Sequence, residues 1–138
     1  MLEHDVVLSK ISIIKNCLNT IRNVTDLNPE KLDDIVIQDV FVLNLQRSIQ
    51  AAIDMANILI SENGWKLPAT YREAFTILRE QNVIPSGIAE TMKKMTGFRN
   101  IAVHDYRQLD PAILRSILTN NLKDLEQYYS VVYQWMQK

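Results

Sequence analysis

The sequence predicts an all-α protein, an antiparallel up-and-down bundle of about five helices. Glycine and proline, which interrupt helices, number only three and four in 138 residues and stand at the borders of longer segments. Between these borders the apolar residues recur every three or four positions, which is the period of an amphipathic helix. The length suits a single domain over residues 1–138, large enough to bury roughly two-thirds of its unfolded surface.

The first two predicted helices are the longest. The first runs from about Glu3 to Val24, with an apolar stripe formed by Val7, Leu8, Ile11, Ile14, Leu18 and Ile21. The second spans about Leu32 to Asn63 and ends at Gly64. Its apolar residues extend beyond a single face, which is typical of a helix that is central or lies at an interface.

Charged side chains interrupt the apolar pattern of the second helix. Arg47 and Asp54 lie two turns apart on one side, and Asp39 precedes them. Two interpretations stay open for these residues. They form an exposed polar strip, or they are buried and need a partner on another helix or another subunit.

Three shorter helices are predicted after Gly64. They span about Ala69 to Gln81, Ile88 to His104 and Pro111 to Met136. The expected packing residues of the first are Tyr71, Phe75 and Leu78. The apolar positions of the second include Ile88, Met92, Met95, Ile101 and Val103, and those of the third recur at spacings of three and four, namely Leu114, Leu118, Leu125, Tyr128, Val132 and Trp135. Gly97 interrupts a helix interior, and we favour a close backbone approach there over a local weak point.

Composition narrows the class of protein. The formal net charge of −1 argues against nucleic-acid binding by bulk electrostatics, although Lys93, Lys94, Arg99 and Arg107 surround a single acid at Asp105. The single cysteine, Cys17, fits a reducing compartment and a small core residue. We expect neither a signal peptide nor a membrane span, and therefore a cytoplasmic protein. The sequence has no cluster of metal ligands and implies no cofactor.

The segment from Arg99 to Tyr106 combines a fixed cation, a group that titrates near neutrality and a phenol. Arginine fits phosphate oxygens in bidentate fashion, and histidine exchanges protons at cellular pH. On a regular helix Asn100 shares a face with His104, and Arg99 shares a neighbouring face with Tyr106. Because Arg99 and His104 stand about 140° apart, they converge only if the helix ends or bends there.

If these residues are catalytic, they suit metal-free cleavage of RNA by attack of the ribose 2′-hydroxyl on its own 3′-phosphate. His104 would act as general base or acid, and Arg99 would neutralise charge on the phosphorane oxygens. Asn100 would orient the imidazole or bind phosphate, and Tyr106 would hydrogen-bond phosphate or ribose. The other histidine, His4, lies near a frayed terminus, so a second copy related by a two-fold axis is the better source of a second imidazole.

The string Arg-x4-His-x-Tyr at Arg99–Tyr106 resembles the signature of the HEPN superfamily, and within it of HepT-type toxins. The segment Asp39–Asp54 is similar to the second helix of that family at its polar positions, which are Asp39, Asn44, Arg47 and Asp54. The resemblance covers nearly the whole chain, and its specific residues fall in these two blocks. It implies an RNase toxin that acts as a homodimer with a composite site, and supporting or substrate-binding roles for Asp39, Arg47 and Asp54.

The resemblance also implies a protein partner. HepT toxins are encoded beside a minimal nucleotidyltransferase antitoxin, and the match implies that Tyr106 is the hydroxyl to which that enzyme attaches AMP. Anionic phosphates beside Arg99 and His104 would repel and exclude RNA. Two alternatives remain: a non-catalytic helical subunit that presents nucleotide or substrate to a nucleotidyltransferase, and a structural bundle whose polar motif caps a helix.

Overall fold

The computed structural model describes residues 2–138, with side chains from His4 onward. Six α-helices follow one another in this part of the chain: α1 (Leu2–Thr25), α2 (Ile35–Glu62), α3 (Tyr71–Glu80), α4 (Ser86–His104), α5 (Pro111–Asn120) and α6 (Leu122–Met136). Two short 3₁₀ turns, Pro29–Asp33 and Tyr106–Gln108, precede α2 and follow α4. The prediction of an all-α fold is confirmed.

Helix α2 lies at the centre of the bundle. It pairs with α1 in a long hairpin and also contacts α3, α4 and α6. Six of its apolar residues at helical spacing are buried, namely Phe41, Leu45, Ile49, Ala52, Ala56 and Leu59. Because several of its faces meet neighbours, the breadth of its apolar pattern is explained by a central position.

The start of α2 is set by a cap. The side chain of Asp34 accepts hydrogen bonds from the backbone N–H groups of Val36 and Ile37. Leu32, at the predicted start of this helix, lies instead in the 3₁₀ turn Pro29–Asp33 and is buried there. The prediction placed the start too early because a buried leucine continues the apolar spacing without belonging to the helix.

The last predicted helix is two helices in the structure. Helix α5 ends where the N–H of Asn121 bonds to the carbonyl of Ile117, and the Asn121 side chain then donates to Asp124 at 2.9 Å. The apolar spacing runs on through Leu118 and Leu122, both buried, so periodicity alone conceals the break.

Two aromatic residues of α6 pack against neighbouring parts of the bundle, as expected. Tyr128 is fully buried and donates its hydroxyl hydrogen bond to the carbonyl of Ala52 at 2.8 Å. Trp135 packs edge-on against Trp65, with ring centroids 5.8 Å apart. These contacts connect α6 to the middle of α2 and to the segment that follows α2, and they support the interpretation of these rings as packing residues.

Two smaller predictions have opposite outcomes. Cys17 is buried, which raises the pKa of its thiol and fits a core residue. The expectation for Gly97 was wrong, because a Cβ built there meets no atom within 4 Å.

None of the helices in residues 2–138 has the length and hydropathy needed to cross a lipid bilayer.

Candidate active site at the end of helix α4

The end of α4 brings Arg99, Asn100 and His104 to one pocket. Helix α4 stops at His104, which is the condition under which the arginine and the histidine were expected to converge. All three side chains line a cleft of about 540 Å³. The opposite wall comes from α2 and from the segment that leads into α3, through Asn57, Pro68, Ala69, Thr70 and Tyr71.

Arg99 is held in place by two neighbours. Its guanidinium carbon lies 5.2 Å from the centre of the Tyr71 ring, and its Nη1 donates to the Oδ1 of Asn100 at 3.1 Å. Its Nε is buried and finds no hydrogen-bond partner among the residues that the structure describes. The guanidinium group lines the cleft, and arginine N–H groups that are not paired within a protein bind phosphate oxygens.

The surroundings of the cleft favour an anion. Thr70 caps α3 by accepting a hydrogen bond from the N–H of Glu73 at 3.1 Å, so the positive end of the α3 dipole lies at the wall. Among the described residues that line the cleft, none is acidic. Arg99 therefore supplies a positive charge that the lining leaves uncompensated, which suits a phosphate group.

His104 is exposed at the last position of α4, where its imidazole reaches both the cleft and solvent. The second histidine lies elsewhere: His4 lines a separate cleft with Leu59 and Trp135. One copy of the chain thus presents one imidazole at the Arg99 pocket, as the sequence indicated.

Tyr106 leaves this pocket. On a regular helix Tyr106 would share a face with Arg99, but α4 ends at His104 and Tyr106 begins the following 3₁₀ turn. Its hydroxyl donates a hydrogen bond to the Oδ1 of Asp39 on α2 at 2.5 Å. Burial, and then the hydrogen bond and negative charge of Asp39, raise the pKa of Tyr106 to about 12.

The charged positions of α2 have different surroundings. Asp54 pairs with Lys10 of α1 at 3.3 Å and accepts a hydrogen bond from Gln50, whereas Arg47 and Asp39 are exposed. Asp54 therefore has a partner on another helix, and the other two belong to an exposed strip. In one copy of the chain none of the three lines the Arg99 pocket.

Exposed apolar side chains lie within a few residues of Asp39 on α2 and of Tyr106 after α4. On α2, Val36 and Leu43 flank Asp39 and are 67% and 44% exposed. Near the end of α4, Ile101 and Val103 are 44% and 41% exposed, although they were counted among the apolar positions of that helix. We call these four residues the apolar rim. Exposed apolar side chains that together form a patch beside a polar site are typical of a protein interface, and the proposed dimer depends on these four.

The basic residues before the motif do not form one patch with Arg99. Lys93 pairs with Glu90 at 3.2 Å, and Lys94 lines a different groove with Phe98 and Ile113. The positive neighbourhood inferred from the sequence is therefore divided between separate surfaces of α4.

Three residues of the pocket were missed or misassigned from the sequence. Tyr71 was expected to pack in the core, but it is 39% exposed and stacks against Arg99. Thr70 was detectable, because Thr70 followed by Glu73 matches a capping signature. Asn57 carries no local signal, since only the fold brings α2 beside the end of α4.

The chain matches known proteins over most of its length. Residues 14–132 match a family model described as ribonuclease HepT-like. A Shewanella oneidensis protein named mRNA nuclease HepT is 36% identical over 129 residues, which cover 94% of this chain and 97% of that protein. A putative RNase of Archaeoglobus fulgidus is 32% identical over 110 residues, which cover 79% of this chain and 76% of the other.

Solved structures agree with this match. The tri-AMPylated HEPN toxin of Shewanella oneidensis, solved in complex with an MNT antitoxin, superposes with a TM-score of 0.89. The two sequences are 36% identical, and the alignment covers 94% of this chain and 98% of the toxin chain.

Proposed function

The chain belongs to the HepT-like ribonuclease family, and we propose that it is an endoribonuclease toxin that cleaves RNA at the Arg99 pocket. The observation that carries this proposal is the meeting of Arg99 and His104 at one cleft with a buried guanidinium donor unsatisfied among the described residues. A cation and a proton-transfer group beside one phosphate-sized opening are what phosphodiester cleavage requires.

The proposed reaction is an internal transesterification. The ribose 2′-hydroxyl attacks the adjacent phosphorus, the bond to the 5′-oxygen breaks, and the products are a 2′,3′-cyclic phosphate and a free 5′-hydroxyl. His104 removes or supplies the transferred proton, and Arg99 binds the phosphorane oxygens as their charge grows. Asn100, already bonded to Arg99, keeps the guanidinium fork directed at the phosphate.

This chemistry needs no metal ion. Magnesium prefers carboxylate oxygens, and the described residues of the cleft offer none. Arg99 takes the part that a divalent cation plays in metal-dependent nucleases, which is to neutralise the charge of the transition state.

A second copy completes the site. In-line cleavage is helped by both a base and an acid, whereas one chain presents a single imidazole at the pocket. A two-fold dimer that covers the apolar rim would bury Leu43 and Val103 and bring two motifs together. In that arrangement Asp39, Arg47 and Asp54, which stand along one side of α2, would support the composite site or its RNA.

The proposed partner is a minimal nucleotidyltransferase that attaches AMP to Tyr106. The phenol is 38% exposed and lies two residues beyond His104, so a partner enzyme can reach it at the edge of the pocket. The Shewanella oneidensis toxin is tri-AMPylated and in complex with an MNT antitoxin. Each added phosphate would place negative charge beside the groove that receives RNA.

The test is cleavage of single-stranded RNA by the purified chain in the presence of a chelator, followed by chemical analysis of the fragment ends. We expect 2′,3′-cyclic phosphate and 5′-hydroxyl ends that disappear in His104→Ala. Intact RNA together with retained binding of AMP or ATP would instead identify a non-catalytic nucleotide-binding subunit. Cleavage abolished by the chelator would contradict the metal-free mechanism.

A further inference from the structure

The hydrogen bond between Tyr106 and Asp39 joins two parts of the chain that are 67 positions apart. Tyr106 begins the 3₁₀ turn after α4, and Asp39 lies in the second turn of α2. Both residues are exposed, so the pair is accessible to another protein. The carboxylate oxygen lies 2.5 Å from the phenol oxygen, the atom that would bond to the phosphorus of AMP in the proposed modification.

A phenol in this setting is a poor nucleophile unless its proton is removed. With a pKa of about 12, only about one molecule in 10⁵ carries a phenolate at pH 7. Nucleophilic attack by such a group requires a base within hydrogen-bond reach that takes the proton as the new bond forms. Asp39 already accepts that hydrogen bond.

We infer that Asp39 is the proton acceptor for AMP transfer to Tyr106, an inference that rests on the proposed modification of this residue. The phenol oxygen attacks the α-phosphorus of ATP, and the bond from that phosphorus to the bridging oxygen breaks. Pyrophosphate leaves with the electron pair, and the phenol proton passes to Oδ1 of Asp39. The toxin thus supplies part of the chemistry by which its own partner modifies it.

Other charged groups near the phenol are poorly suited to this role. Asp105 and Arg107 flank Tyr106 in the chain, and both are exposed. Arginine stays protonated and cannot act as a base at neutral pH. Of the carboxylates, Asp39 is the one bonded to the hydroxyl and the one whose charge raises the pKa of Tyr106.

Asp39 should affect the rate of the first AMP addition and not the rates of later additions. If a further AMP adds to an AMP already attached, its nucleophile is a ribose hydroxyl rather than the phenol. Loss of Asp39 should therefore slow the first addition and leave later additions on modified chains unaffected. A general effect on folding or on docking of the partner would slow all steps alike.

The experiment compares the wild-type chain, Asp39→Asn and the control Asp105→Asn, each with the cognate nucleotidyltransferase, ATP and Mg²⁺, by intact-mass kinetics. We expect Asp39→Asn to slow the first addition by about 100-fold and the control to match the wild type. Between pH 7 and 9 the residual rate of Asp39→Asn should rise about tenfold per pH unit, because the phenolate must then form unaided. The wild-type rate should rise much less.

An independent readout needs no partner. A pH titration of the Tyr106 ring by carbon-13 NMR should show a lower pKa in Asp39→Asn than in the wild type, because the hydrogen bond and charge of Asp39 no longer raise it, whereas burial still does. The inference is overturned if Asp39→Asn takes up its first AMP at the wild-type rate, or if its Tyr106 titrates as in the wild type. A wild-type chain that takes up no AMP also overturns it, whereas the ribonuclease proposal depends on RNA cleavage measured separately.

Discussion

The two halves of the segment Arg99–Tyr106 lie in different surroundings, although only a few residues separate them. Up to His104 the side chains belong to α4 and line a cleft beside α3. Beyond it the chain turns, and Tyr106 bonds to Asp39 at the start of α2. The first half offers a cation and an imidazole to an anion, and the second offers a phenol beside a carboxylate.

This difference assigns separate chemistry to each half. We propose RNA cleavage at the cleft and AMP attachment at the phenol, with the turn after His104 keeping the two groups close but differently directed. The predictions below separate these two activities, beginning with the largest expected effect.

Removing the imidazole should affect the cleft alone. We expect His104→Ala to lower the rate of RNA cleavage by about 10²–10⁴-fold, because proton transfer in the transition state is lost. The matched control is His4→Ala, because His4 lines another cleft. We expect this variant to cleave RNA at the wild-type rate. Equal losses in both variants would contradict the assignment of His104.

A charge in the apolar rim should dissociate the proposed dimer. We expect Leu43→Asp to weaken self-association by roughly 30-fold, the effect of about 2 kcal/mol at a well-packed contact. RNA cleavage should fall in proportion to the dimer fraction and recover at high protein concentration. Analytical ultracentrifugation measures the dimer fraction, and RNA assays measure cleavage. Tyr133→Asp is the control, because Tyr133 on α6 is 44% exposed, as Leu43 is. A monomeric variant with full activity would contradict the shared site.

Exchanging the guanidinium for an ammonium tests the geometry of the anion site. We expect Arg99→Lys to lower cleavage by about tenfold, because lysine keeps the charge but loses the planar fork and the bond to Asn100. Tyr71→Phe keeps the ring against which Arg99 stacks and should match the wild type. If Arg99→Lys cleaved RNA at the wild-type rate, Arg99 would act through its positive charge alone and not through its planar fork.

The smallest effect concerns stability at the phenol. We expect Tyr106→Phe to lower the free energy of unfolding by about 0.5 kcal/mol at pH 7, since one exposed hydrogen bond is lost. The folded pKa of about 12 exceeds the unfolded value of about 10, so this contribution is complete below pH 10 and disappears as pH rises through 12. Denaturant titrations of the wild type and Tyr106→Phe across this pH range measure the difference in their free energies of unfolding. Equal free energies of unfolding at pH 7 would contradict the prediction.

Most of the fold could be predicted because it follows from local rules. Helix α4 was expected to end at His104, and the Asp110-Pro111 pair does start the next helix through the Asp110 cap. The break at Asn121 was missed because the apolar spacing continues through it. Periodicity detects which face is buried, but it does not detect a change of axis between two helices that share a core.

The site was predictable in its residue types and less so in its contacts. The spacing of Arg99 and His104 indicated that they meet if α4 ends, and the structure meets that condition. The bond from Tyr106 to Asp39 could not be predicted, because it depends on how α2 and α4 pack. The same holds for Tyr71, whose stacking on Arg99 requires α3 to lie beside α4.

The most direct test of the shared cleft is a subunit-mixing assay. Arg99→Ala and His104→Ala chains, each nearly inactive alone, are co-expressed with different tags, and the mixed dimer is purified. Because one partner retains the arginine and the other an imidazole, we predict that the mixed dimer regains part of the wild-type RNA cleavage, with 2′,3′-cyclic phosphate ends. A mixed dimer as inactive as either parent would contradict a site built from two copies.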